Sequence, residues 1–330
     1  MQKMYEVKYY VKRKNKYPSK FQIYLKRFFY TLVILFMVNF LANIYFYKSP
    51  ADKLLFISPL AQNIVQNTTI FINSRQNSEG LEKIVKTVLK SDNNFGIVIK
   101  NLKTGERYYL NEDKVFETAS LYKLWVMAVV FNQIQNGKLK QTDILSKDVE
   151  ELNKDFNVAS DSAELTEGTI AWPVQNAIEQ MIIISDNYSA FLLTEKIGIS
   201  NVVAFLENNG FVQSKVGVDN KSPVSTASDI ALFLEKLYNG QLANKEYTDK
   251  MLDLLKNQQL NEKLPKNLPQ DTVIAHKTGE LNDINHDAGI VYSPKGDYVI
   301  VIMSKAGDAE KTNEQIAEIS KEIFRYFGSI

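Results

Sequence analysis

The stretch FGIVIKNLKTGERYYLN, residues 95–111, decides the reading of the fold. FGIVIKN and ERYYLN are rich in β-branched and aromatic residues, and Lys103-Thr104-Gly105 between them suits a tight turn, so the stretch reads as a β-hairpin. Two strands bury no face by themselves. Strand character returns late, in TVIAHKTG (272–279), HDAGIVYS (286–293) and DYVIVIMSK (297–305), with SPKGD (293–297) turning between the last two. These runs must join the hairpin, which closes one antiparallel sheet of five strands from both ends of the domain.

Between the two halves of that sheet the periodicity changes. From about Thr118 to Leu264 apolar residues recur at helical spacing, in LYKLWVMAVVFNQIQNG, IAWPVQNAIEQMIIIS, NYSAFLLTEKIG, NVVAFLENNG and TASDIALFLEKLYNG. Most of these segments end in Gly, the usual residue just past a helix. Before the hairpin, LEKIVKTVLK puts Leu81, Ile84, Val85, Val88 and Leu89 on one face. A last helix from about Glu310 to Phe327 turns Ile316, Ile319, Ile323 and Phe327 inward. The expected class is α+β, with an antiparallel five-stranded sheet from residues 81–117 and 270–330 and an all-helical subdomain over 118–269. A groove between a sheet edge and a helical part is a common ligand site.

The segment before this domain has a different character. Residues 1–27 hold nine Lys or Arg and one acid, Glu6. FFYTLVILFMVNFLANIYFY, residues 28–47, carries no charge and is flanked by Arg27 and Lys48. Twenty helical residues span about 30 Å, the hydrocarbon thickness of a bilayer, and this run lacks the polar face of a core helix. Its length, with no A-x-A site after it, favours an uncleaved transmembrane anchor over a cleaved signal peptide. Basic residues before the span hold the N-terminus in the cytoplasm. The expectation is a single-pass cell-membrane protein with a tether at 48–80 and an extracytoplasmic catalytic domain at 81–330. A net charge of +1 speaks against a nucleic-acid partner. The chain has no cysteine for disulfide or thiolate chemistry, and two histidines, His276 and His286, are too few for the usual zinc ligand set. Neither metal nor cofactor is expected.

The chemistry starts at TASLYKLWV, residues 118–126, where Ser120 and Lys123 stand one turn apart at the start of an apolar helix. The helix N-terminus adds a positive field at the serine. A lysine desolvated by Leu124, Trp125 and the core behind them loses several pKa units and acts as a base near neutral pH. Of the 21 serines, Ser120 alone has a lysine three residues on. Ser185-Asp186-Asn187 lies between two helical segments, so its side chains can face a shared cleft: Ser185 relays a proton to a departing nitrogen and Asn187 holds a substrate amide. Lys277-Thr278-Gly279 lies on a strand. Lys277 places a cation near Ser185 and a substrate carboxylate, Thr278 hydrogen-bonds that carboxylate, and Gly279 leaves room for substrate along the strand. The backbone N–H groups of Ser120 and Glu280 make an oxyanion hole. Ser91-Asp92-Asn93 and the hairpin's Lys103-Thr104-Gly105 repeat the same triplets but precede the serine, and they read as decoys.

In the order of its three motifs the chain resembles the class A serine β-lactamases and the related penicillin-binding proteins. TASLYKLW, ISDNYSAFLL, PVSTASDIALFLEKL and HKTGELNDINHDAGIVY carry the resemblance, which spans about Leu81 to Phe327. It implies an antiparallel sheet flanked by helices with an all-helical subdomain, and acylation of Ser120 by a β-lactam. One feature departs from the pattern. Class A enzymes free the acyl-enzyme with a glutamate on a loop between the second and third motifs, and that loop belongs between Phe211 and Ser225. There the chain reads VQSKVGVDNKSPV, whose one carboxylate, Asp219, is the candidate deacylation base in place of the missing glutamate, while Glu164 and Glu167 fall before the second motif. Slow deacylation, or Lys123 serving both half-reactions, are the alternatives. Three readings follow: a β-lactam hydrolase, a D,D-peptidase acting on peptidoglycan stem peptides, and a silent membrane-tethered binding module. His276 is expected to pack on its strand, and Asp287 to order the strand that follows.

Overall fold

In the computed structural model, which describes residues 77–89, 93–217 and 221–329, the domain opens with helix α1 (Glu79–Val88). Ser78 caps it by accepting from the Leu81 N–H, and Glu79 and Glu82 sit in the positive first turn. Strands β1 (Phe95–Asn101) and β2 (Arg107–Leu110) form the expected hairpin, with Ile97 opposite Leu110 and Lys100 opposite Arg107. Its turn is built by Asn101, whose Oδ1 accepts from the Lys103 and Thr104 N–H groups at 2.9 Å. Gly105 closes it at φ +75°, a conformation that favours glycine. The Lys-Thr-Gly triplet here is a turn, as expected.

The late strands are β7 (Ile274–Leu281), β8 (Ile284–Val291) and β9 (Tyr298–Ser304). The sheet order is β2-β1-β9-β8-β7 with every neighbouring pair antiparallel, so the last strand lies beside the first. Alternate residues feed opposite faces. Ile97, Ile99, Ile300 and Ile302 meet Leu81 and Val85 of α1 and Ile316, Ile319, Ile323 and Phe327 of the last helix, α9 (Ala309–Ser329). Val98, Val299, Val301 and Met303 face the helical part.

That part contains α2 (Lys123–Gln135), α3 (Val149–Asp155), α4 (Val174–Ile183), α5 (Asn187–Ile197), α6 (Ile199–Asn208), α7 (Ala227–Tyr238) and α8 (Lys245–Lys256). Helix α2 is buried on all sides from Lys123 to Phe131, which marks it as the axis of the subdomain. The middle is not all-helical. Strand β3 (Phe116–Glu117) pairs with β6 (Val224–Ser225), and β4 (Ile144–Asp148) pairs with β5 (Thr169–Pro173), placing Trp172 opposite Leu145. Residues 170–173, expected to open a helix, are extended because Pro173, at φ −57° and ψ 145°, disfavours helical backbone in the residue before it; α4 starts only at Val174.

The proposed anchor at 28–47, the basic segment before it and most of the tether lie outside the described residues, as do Ser91, Asp92 and Asp219. Among the described residues no single helix is long and apolar enough to cross a membrane.

Truncating Ile323, fully buried between α9 and the sheet, to Ala is expected to cost about 2–5 kcal/mol of unfolding free energy. The same truncation at Val212, 79% exposed, is expected to stay within about 0.5 kcal/mol. Urea denaturation followed by circular dichroism checks the pair.

Candidate active site

Ser120 sits in a 3-10 turn, Ala119–Tyr122, immediately before α2 rather than inside its first α-helical turn. The turn is entered through Ala119 at φ +43°, an unusual conformation for a residue with a side chain. Gly279 explains how the turn fits. A Cβ there would meet Thr118 O at 2.8 Å and Ala119 Cβ at 3.4 Å, so the missing side chain makes room for the serine turn itself. This close approach sets Ser120 and Glu280, each the next residue along its own segment, beside one contact. Ser120 is half-buried, and among the described residues its hydroxyl makes no hydrogen bond.

Lys123, fully buried, is the first residue of α2. Its Nζ donates to Ser185 O at 2.5 Å and to Asn187 Oδ1 at 2.8 Å, with Ser185 Oγ at 3.3 Å. Lys277, also fully buried, donates to the same Ser185 Oγ at 2.8 Å and to Thr278 O at 2.8 Å. Two buried amines therefore share one hydroxyl. Burial lowers the Lys123 pKa to about 7, against the opposing pull of the Asp186 and Glu164 carboxylates. Burial, reinforced by the nearby Lys123 cation, drives Lys277 well below the ordinary lysine range. Ser185 reaches both amines from a left-handed backbone, φ +63°. Strain of this kind in a non-glycine residue is concentrated at functional sites. Asp186 then caps α5 by accepting from Ser189 N–H at 2.6 Å, which fixes Asn187 at the first position of that helix.

The third motif is held from behind. Thr278 pairs with Asp287 across β7 and β8, and Gly279 with His286. Asp287, buried, contacts His276 Nδ1 at 2.9 Å and accepts from Leu264 N–H at 3.0 Å. His276 thus packs against the strand, and Asp287 orders it. His286 accepts from Ser304 N–H at Nδ1 and donates from Nε2 to Glu117 O at 2.8 Å, and its burial lowers its pKa to about 4, so it is neutral. Glu280 is exposed but pairs with Lys263, a buried lysine that the sequence pattern did not single out.

The structure thus gathers Lys123, Ser185, Asn187 and Lys277 into one hydrogen-bonded group, with Thr278 and Gly279 against the Ser120 turn. Asp219 lies outside the described residues. One carboxylate joins the group from the segment before the second motif: Asn187 Nδ2 donates to Glu164 Oε1 at 2.7 Å. The segment between α3 and β5 has no apolar periodicity to predict where its side chains go.

A model of the beta-lactamase enzyme family matches residues 80–327. Beta-lactamase VEB-1 from Pseudomonas aeruginosa is 24% identical over 287 residues, spanning 79% of this chain and 94% of the relative. Among solved structures, that of PBP-A has a TM-score of 0.67 at 22% identity, over 77% of this chain and 97% of its own. A beta-lactamase from Sphaerobacter thermophilus also has a TM-score of 0.67 at 22% identity, over 76% and 98%.

If Ser120 is the nucleophile toward β-lactams and the Lys123 amine its base, the amine must be unprotonated to work. The second-order rate of Ser120 acylation by a chromogenic cephalosporin is then expected to rise with pH and level off above about 7. At pH 5 it should be about a hundredfold below the plateau, tenfold for each unit below the pKa. Stopped-flow absorbance measures the profile; a rate flat across this range would exclude Lys123 as the base.

Proposed function

The chain belongs to the beta-lactamase enzyme family, and on that premise we propose that it opens the amide bond of β-lactam rings through an acyl-enzyme on Ser120. The observation that carries this reading is the hydroxyl of Ser185 held between two buried amines, Lys123 and Lys277. In the proposed cycle the neutral Lys123 amine takes the Ser120 proton as Oγ attacks the ring carbonyl. Catalytic contacts that are long in the free enzyme commonly tighten when substrate binds. Negative charge developing on the carbonyl oxygen falls between the N–H groups of Ser120 and Glu280, each such donor lowering the barrier by about 3 kcal/mol. The C–N bond then breaks, and Ser185 passes a proton from the lysine pair to the ring nitrogen. Lys277 and Thr278 hold the substrate carboxylate, and Asn187 holds the side-chain amide. Residues 28–47 anchor the enzyme in the membrane, and residues 48–80 hold the catalytic domain outside.

One observation favours a second reading, a D,D-peptidase that β-lactams trap. Between Phe211 and Ser225 the sequence has no glutamate to activate the deacylating water, and its one carboxylate, Asp219, lies outside the described residues. Both readings acylate Ser120 and part at the next step. The lifetime of the acyl-enzyme formed with a chromogenic cephalosporin separates them. Continuous turnover within seconds, with no cleavage of stem peptides, is the outcome expected of the hydrolase. A burst that stops at one equivalent identifies the peptidase. Penicillin binding with no covalent labelling of the native protein would remove both and leave the binding-module reading.

A further inference from the structure

The amide of Asn187 has two ends, and both are in use. Oδ1 accepts from Lys123 at 2.8 Å, while Nδ2, the donor that the proposed cycle assigns to the substrate's side-chain amide, gives its hydrogen to Glu164 at 2.7 Å. Glu164 is exposed, and its carboxylate occupies the amide donor that the proposed cycle gives to substrate. Its location is fixed from behind. The next residue, Leu165, donates its N–H to the Tyr188 hydroxyl at 3.0 Å, and its carbonyl lies 2.8 Å from that hydroxyl and 2.8 Å from Asn153 Nδ2. Tyr188 is buried and directly follows Asn187. The segment is therefore latched to the same helix start that presents the amide donor. Residues 156–173 contain Asp161, Glu164 and Glu167 and no lysine or arginine, so nothing within the segment neutralises the carboxylate.

We propose that Glu164 determines which acyl side chains this site accepts, selecting those with an ammonium group beside the amide and rejecting those with a carboxylate there. The inference rests on the acyl-enzyme reading above. A neutral amide carbonyl that takes over Asn187 Nδ2 replaces a charge-assisted hydrogen bond with an ordinary one, roughly half as strong. A cation at that place stays paired with Glu164 and recovers the loss. An anion meets like charge at short range. Discrimination by a built-in repulsive element of this kind shapes specificity without touching the reacting atoms.

Ampicillin and carbenicillin share one penicillin scaffold and differ at the side-chain α-carbon, ammonium in the first and carboxylate in the second. Second-order acylation rates of Ser120 by both, and by uncharged benzylpenicillin, are to be measured on the full chain. The measurement is made at low ionic strength and at a pH where the ampicillin amine is protonated, with native protein, Glu164→Gln and Glu164→Ala. The native protein is expected to react about tenfold faster with ampicillin than with carbenicillin. Glu164→Gln, which keeps an acceptor for Asn187 but loses the charge, should bring the ratio to within about threefold, mainly through faster carbenicillin acylation. About 0.5 M salt should narrow the native ratio in the same direction. Glu164→Ala also frees Asn187 and should speed benzylpenicillin. A native ratio near one, or a ratio unmoved by Glu164→Gln, overturns the proposal while leaving the acyl-enzyme reading intact. If benzylpenicillin fails to acylate the native protein, that reading falls and the proposal falls with it.

Discussion

The arrangement depends on one constraint: an amine at Lys123 that is kept out of water yet fully hydrogen-bonded. The side chain has no exposure, and its nitrogen is held by Ser185 and Asn187. Its pKa falls from 10.5 to about 7 because burial penalises the ammonium. The folded value is below the unfolded one, so the cost to stability is full below pH 7 and fades as pH rises toward 10.5. At about 1.4 kcal/mol per unit, the cost is on the order of 5 kcal/mol near neutral pH. The rest of the fold offsets it. Helix α2 is buried on every side, and the sheet packs hydrophobic clusters on both faces.

Reactivity and strain are placed together. Ala119 before the serine and Ser185 in the second motif both adopt left-handed backbone, and each aims a functional group that a relaxed conformation would turn elsewhere. The strain persists because the surroundings over-determine it. Gly279 leaves the gap that the Ala119 turn fills, and the cap of α5 at Asp186 fixes the chain just after Ser185. Lys277 adds a second buried amine on the same hydroxyl, and its strand is secured by the buried Asp287–His276 contact and by the Lys263–Glu280 pair.

Much of the fold was legible because its signals are local. The hairpin, the three late strands and the two helices on the outer face of the sheet declare themselves by alternation, turn residues and apolar period. The β4–β5 ribbon did not, because Pro173 is hidden inside an apolar run whose spacing also suits a helix. The motif residues were found through their triplets and order, but the triplets carry no geometry. That Gly279 accommodates the serine turn is a tertiary fact. So is the contact of Glu164 with Asn187, between residues 23 apart joined by an aperiodic segment. Lys263 was missed for the same reason: in the sequence it is one lysine among many, and only its burial beside Glu280 distinguishes it.

The titration of Lys123 itself tests the central claim most directly. Lysines labelled with carbon-13 at Cε report their own ionisation by NMR, and the Lys123 signal is assigned as the one missing from Lys123→Met. The account predicts a midpoint near 7. A midpoint near the ordinary lysine value of about 10.4 would mean that the amine stays charged at neutral pH and cannot take the serine proton.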